Sequence, residues 1–252
     1  MLTDLSPLIQ SPLDWCVLFV SALLIGMSKT GLQGIAMLAV PLMALTFGAK
    51  PSTGIVLPML CFSDLMAVFY YRRAAEWRII IKLLPAAIAG FGLALLVDKF
   101  IPPAEFKHLL AGCLLFVIGI MFWDARQKGG SKWTSKWWYG PFFGLLGGFT
   151  TMIGNAAGPV MAIFLLSVRL PKYSFIGTSA WFFMVVNYLK VPLQVFAWHN
   201  IDSQTIMLNV YSIPFMIVGG LAGIYLVKRL PEKGFRDFTT VLTVLSVLLL
   251  LL

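Results

Sequence analysis

Long apolar runs dominate this chain, and the polar positions that interrupt them mark its elements. Apolar segments cover 13–27 and 32–47, then 54–71, 79–97 and 108–123, followed by 140–153, 157–168, 174–189, 205–227 and 237–252. Each reads as a membrane helix or half of one. At 1.5 Å per residue, Leu13 to Met27 reaches only about 22 Å, short of a hydrocarbon core of about 30 Å. Joined to 32–47, it reads as a hairpin that enters and leaves on one side, or as two tilted spans. Either way Leu13 and Lys50 end on the same face.

Two polar interruptions stand out. Gly26-Met27-Ser28-Lys29-Thr30-Gly31-Leu32-Gln33-Gly34 breaks the first apolar run, and Gly147 to Pro159, containing Thr150-Thr151-Met152-Ile153-Gly154-Asn155, breaks a later one. Hydroxyls, amides and a lysine are costly in hydrocarbon unless they face a cavity or a ligand, so the pair suggests a transport site. Half-helices restarting near Leu32 and Ala157 would aim unpaired N–H groups and the positive end of the helix dipole at an anion, and Pro159 suits a first turn.

Composition fixes the class. Hydrophobic residues make up 60% and charged residues 12% of the 252, against about half and a quarter in a water-soluble domain, so the chain is expected to be a polytopic membrane protein in the lipid bilayer. The net charge of +9 sits between apolar segments rather than in a stripe with interleaved aromatics, which argues against nucleic acid. Cys16, Cys61 and Cys113 lie in apolar runs without metal or redox spacing, and no metal or other cofactor is expected. Met1 to Leu13 carries Asp4 and no basic residue ahead of the first run, so no cleavable signal is expected.

Topology accounts for the charge. Threading the segments from one face to the other puts Arg72, Arg73, Arg78, Lys82, Arg126, Lys128, Lys132, Lys136, Arg169, Lys172, Lys228, Arg229, Lys233 and Arg236 on one face, with Lys50, Lys99, Lys107 and Lys190 on the other. By the positive-inside rule the first face is cytoplasmic, and both termini lie outside an inner (plasma) membrane. Trp133, Trp137, Trp138 and Tyr139 beside the central basic loop fit an interfacial aromatic belt.

The same threading puts the two hairpins on opposite faces, as an inverted repeat requires. At an offset of 129, Pro85, Gly90, Lys99, Pro102, Phe106 and Lys107 match Pro214, Gly219, Lys228, Pro231, Phe235 and Arg236; at 120, Thr30, Gly34 and Pro51 match Thr150, Gly154 and Pro171. The expected fold is all-α: one transmembrane domain, 1–252, built from repeats 1–128 and 137–252, each a glycine-rich broken-helix hairpin plus three transmembrane helices.

The hairpin stretches GLQGIAMLAVPLMALTFGAKP and GGFTTMIGNAAGPVMAIFLLSVRLP, followed by GTSAWFFMVVN, resemble the sulfite exporter TauE/SafE family over nearly the whole chain. The sequence departs from the family's denser first glycine run at Gly34-Ile35-Ala36-Met37. The resemblance implies a secondary transporter, commonly outward, of small anions such as sulfite or organosulfonates. The residues themselves support a transporter with an inverted repeat; small carboxylates and an anion channel are the alternatives.

Candidate substrate-binding residues are Ser28, Lys29, Thr30, Gly31, Gln33 and Gly34 in the first break and Thr150, Thr151, Gly154 and Asn155 in the second, with Thr178 and Ser179 as weaker candidates. Lys29 either contacts substrate or snorkels to an interface. Asp64 is a proton-coupling carboxylate, a counter-ion for Lys29 or a packing residue, with Asn187 as its repeat mate. A proton or sodium ion is the candidate coupling ion, and the oligomeric state is open. No HExxH, GxSxG or nucleotide-binding loop points to an enzyme.

Overall fold

The computed structural model describes residues 8–100, 112, 115, 119, 134 and 136–251. Most of the expected segment 108–123, Cys113, Trp133 and most of the central basic loop lie outside the described residues. Nine helices occur among the described residues, with no strand: α1 (Pro12–Thr30), α2 (Ala36–Phe47), α3 (Ala49–Tyr71), α4 (Trp77–Asp98), α5 (Tyr139–Gly154), α6 (Ala157–Ser167), α7 (Lys172–Phe196), α8 (Ser203–Arg229) and α9 (Glu232–Leu251). Among the described residues, four stretches are long and apolar enough to cross a membrane, namely Pro12–Thr30, Lys50–Tyr71, Trp77–Asp98 and Ser203–Arg229.

Local chemistry sets several boundaries. Ser11 and Asp14 form a capping box ahead of α1, with Pro12 in the first turn, and Asp202 with Thr205 does the same for α8; each box satisfies N–H groups that a helix start leaves unpaired. Where helices cross, glycine replaces side chains. A Cβ on Gly26 would collide with the Met216 carbonyl oxygen, and one on Gly148 with that of Ala87, so α1 packs tightly on α8 and α4 on α5. Between these pairs, α3 packs against α7.

The loops gather at two ends of the bundle. At one end, Lys50 Nζ lies 3.3 Å from both Asp98 oxygens and Asn200 Nδ2 donates to the Lys50 carbonyl at 3.2 Å. At the other, Lys172 Nζ donates to the Leu230 carbonyl at 2.6 Å and Arg236 to that of Leu166 at 3.0 Å.

Three expectations need adjustment. α1 is 19 residues long, about 28 Å, because the helix continues through Gly26 to Thr30; the interruption is Gly31 to Ile35, and α2 starts at Ala36, not near Leu32. α7 runs on to Phe196, so Lys190 lies inside a helix and not in a loop. Tyr139 is not an exposed belt residue but buried, its hydroxyl donating to Ser167 Oγ at 2.9 Å, whereas Trp137 is exposed.

Candidate functional site

Both helix interruptions open onto one cavity. In the first, Gly34 adopts φ 105°, which an L side chain rarely takes, and α2 begins two residues later. In the second, Asn155 turns the chain in the left-handed conformation at φ 54°, a geometry asparagine tolerates, and α6 restarts at Ala157. The cavity between them measures about 40 Å³, room for a few waters. Ser28, Lys29, Gln33 and Gly34 wall one side and Thr151, Asn155 and Gly158 the other, closed by Leu60 of α3 and by Phe183 and Asn187 of α7.

Its charge is concentrated on one carboxylate and two lysines. Lys29 Nζ lies 2.9 Å from Asp64 Oδ1 and 3.9 Å from the centre of the Phe183 ring, with the lysine side chain 10% exposed and the carboxylate fully buried. The ring face adds a cation–π attraction to the ion pair. Asn187 Nδ2 donates to the other carboxylate oxygen at 2.6 Å, so both oxygens of Asp64 are engaged. In this geometry Asp64 is the ion-pair partner of Lys29. Two acceptors on cavity-lining residues, Gln33 Oε1 and Asn187 Oδ1, are buried without a protein partner among the described residues. Water or a donor on a bound molecule can satisfy them there.

Lys190 is the residue that sequence reasoning missed. It is 0% exposed, and its ammonium donates to the Thr151 carbonyl at 2.8 Å, to Thr151 Oγ1 at 3.1 Å and to Asn155 Oδ1. It therefore stands directly behind the cavity wall. The available signal is the apolar stretch Val191 to Phe196, which carries the helix beyond the lysine. Asn155 also links the cavity to the polar end layer, since its Nδ2 donates to the Thr53 carbonyl at 3.1 Å.

Several sequence candidates sit elsewhere. Thr30 Oγ1 donates to the Gly26 carbonyl at 3.1 Å and the Gly220 carbonyl at 2.7 Å, tying α1 to α8, and Gly31 packs on Gly223. Thr150 is turned to the Leu146 carbonyl of its own helix at 2.8 Å, and Gly154 ends that helix without lining the cavity. Thr178 Oγ1 accepts from the Glu76 amide at 2.9 Å beside the start of α4, and Ser179 is buried away from the cavity. Thr30, Gly31 and Thr178 serve contacts between elements instead, as such groups commonly do in membranes, and the Thr150 hydroxyl bonds within its own helix.

Fold and site together define a class: an α-helical membrane protein whose helices break around a polar cavity holding a buried ion pair, the architecture of a transporter. The chain belongs to the sulfite exporter TauE/SafE family, whose model matches residues 18–250. No curated protein and no solved structure matches it. Membership implies a membrane transporter of sulfur-containing anions.

Proposed function

We propose that this protein exports small sulfur-containing anions, such as sulfite or organosulfonates, across the cytoplasmic membrane by alternating access around the cavity between the two helix breaks. The observation that carries this is the cavity itself: two helix restarts, α2 at Ala36 and α6 at Ala157, converge on a buried site containing Lys29, and such ends favour anions. Hydroxyls of Ser28 and Thr151 and the amides of Gln33 and Asn155 are the hydrogen-bonding groups for the substrate oxygens. Asp64, with Asn187, is the proposed coupling or counter-ion site.

An inverted repeat is part of this reading, with 1–128 and 137–252 exchanging roles as the site opens to either side. Packing supports it. Gly26 meets the Met216 carbonyl as Gly148 meets that of Ala87, and the Leu23 carbonyl meets Gly219 as that of Leu145 meets Gly90. The partners are 122 residues apart on α1 and α5, and 129 apart on α4 and α8. Cavity residues pair in the same way: Lys29 with Thr151, Gln33 with Asn155 and Ala36 with Gly158 are each 122 apart. These contacts favour an offset of 122 over 120 for the hairpins.

Purified protein in liposomes tests the proposal. Saturable sulfite or methanesulfonate flux, inhibited by the other anion, is expected. Flux that rises linearly with concentration would mean a channel, and saturable flux of small carboxylates alone would mean a different substrate class.

A further inference from the structure

We propose that Lys190, and not the Lys29–Asp64 pair, supplies the positive charge that selects the substrate, so that the site accepts one negative charge at a time: a sulfonate or hydrogen sulfite, not a dianion such as sulfate. This rests on the transporter reading above and deepens it.

The argument is one of charge compensation. Lys29 and Asp64 neutralise one another at 2.9 Å, and the second Asp64 oxygen is held by Asn187. Lending Lys29 to a substrate would strand a fully buried carboxylate, which is a large cost. Lys190 has no such constraint. Its contacts, the Thr151 carbonyl, Thr151 Oγ1 and Asn155 Oδ1, are all neutral, and three acceptors match the three donors of an ammonium. Among the described residues the only ion pairs are Lys29 with Asp64 and Lys50 with Asp98. With Lys190 in the ammonium form that its three acceptors suit, the buried layer carries two cations against one carboxylate among the described residues.

An unneutralised ammonium removed from water is costly, and membrane proteins keep such groups where they meet a charged partner during function. Both residues that hold Lys190 also line the cavity, so an anion there is separated from the ammonium by one layer of side chain. A monoanion leaves the layer neutral. A dianion leaves it with a surplus negative charge and no cation to meet it.

Binding to the purified full chain in detergent, by calorimetry, tests this with three probes of similar size: methanesulfonate, sulfate and uncharged dimethyl sulfone. The native protein is expected to bind methanesulfonate at least tenfold more tightly than either of the others. In Lys190→Met, whose substitution removes a buried charge and inserts an apolar stem, methanesulfonate is expected to lose at least tenfold and its advantage over dimethyl sulfone to vanish, with the melting temperature showing that the protein is folded. Sulfate binding as tightly as methanesulfonate to the native protein would overturn the proposal whether or not the variant folds, as would an undiminished methanesulfonate preference in Lys190→Met. If the native protein binds methanesulfonate no better than dimethyl sulfone and binds neither sulfate nor sulfite, the anion-transporter reading itself fails, and the charge assignment falls with it.

Discussion

Asp64 is held on one oxygen by a cation and on the other by an amide, and it is fully buried. That arrangement makes its partners more important to the fold than an exposed pair would be. Lys29→Gln is expected to destabilise the protein by about 3–5 kcal/mol, the usual cost of stranding a buried charge, and Lys29→Gln with Asp64→Asn to recover most of the loss because no charge remains to be stranded. Melting curves of the two single variants and the double variant decide it; a Lys29→Gln protein that melts with the native one would mean that Asp64 is already neutral or solvated. Lys29 and Asp64 are visible in the sequence because each interrupts an apolar run. Lys190 is not, since it follows Tyr188-Leu189, where the expected apolar segment ends, and only the continuation of α7 to Phe196 buries it.

Among the helices, close crossings depend on glycines that the sequence shows but cannot assign to partners. On α4, a Cβ at Gly90 would collide with the Leu145 carbonyl oxygen, whereas one at Gly92 would meet nothing within 4 Å. Gly90→Ala is therefore expected to cost about 1–3 kcal/mol through overpacking, and Gly92→Ala to stay within about 0.5 kcal/mol. Gly219→Ala, whose Cβ would collide with the Leu23 carbonyl oxygen, should match Gly90→Ala if the two halves are equivalent. Thermal unfolding in one detergent compares all three, and equal stability of Gly90→Ala and Gly92→Ala would contradict the packing described. The interruptions themselves are legible as polar glycine-rich stretches, but their limits are not. Helix propensity and packing on α8 carry α1 through Ser28-Lys29-Thr30, and the turn waits for Gly34.

For the molecule as a whole, placing Lys190 inside α7 sharpens the charge asymmetry: of the nineteen Lys and Arg residues, the fourteen assigned to one face now oppose only Lys50, Lys99 and Lys107 on the other. The proposed orientation puts the Lys50–Asp98–Asn200 end outside and the Lys172–Leu230 end in the cytoplasm. Ser203 and Lys233 are exposed near opposite ends. In a background lacking the native cysteines, Ser203→Cys should react with an impermeant maleimide in intact cells and Lys233→Cys only after permeabilisation. The reverse pattern would invert the protein and the direction assigned to transport.

The order of the nine described helices, the membrane class, the two interruptions and the family resemblance follow from sequence, because each depends on runs of neighbouring residues and on the cost of polar groups in hydrocarbon. What only the tertiary structure decides is which polar groups meet. Thr30, Thr150 and Thr178 have the same chemistry as Thr151, yet they are engaged by carbonyls and an amide within or between helices while Thr151 faces both the cavity and Lys190. Asp64 and Asn187 are 123 residues apart and touch. A side chain's role in such a site depends on the direction its helix turns it and on the helix opposite, and neither is encoded within the few residues around it.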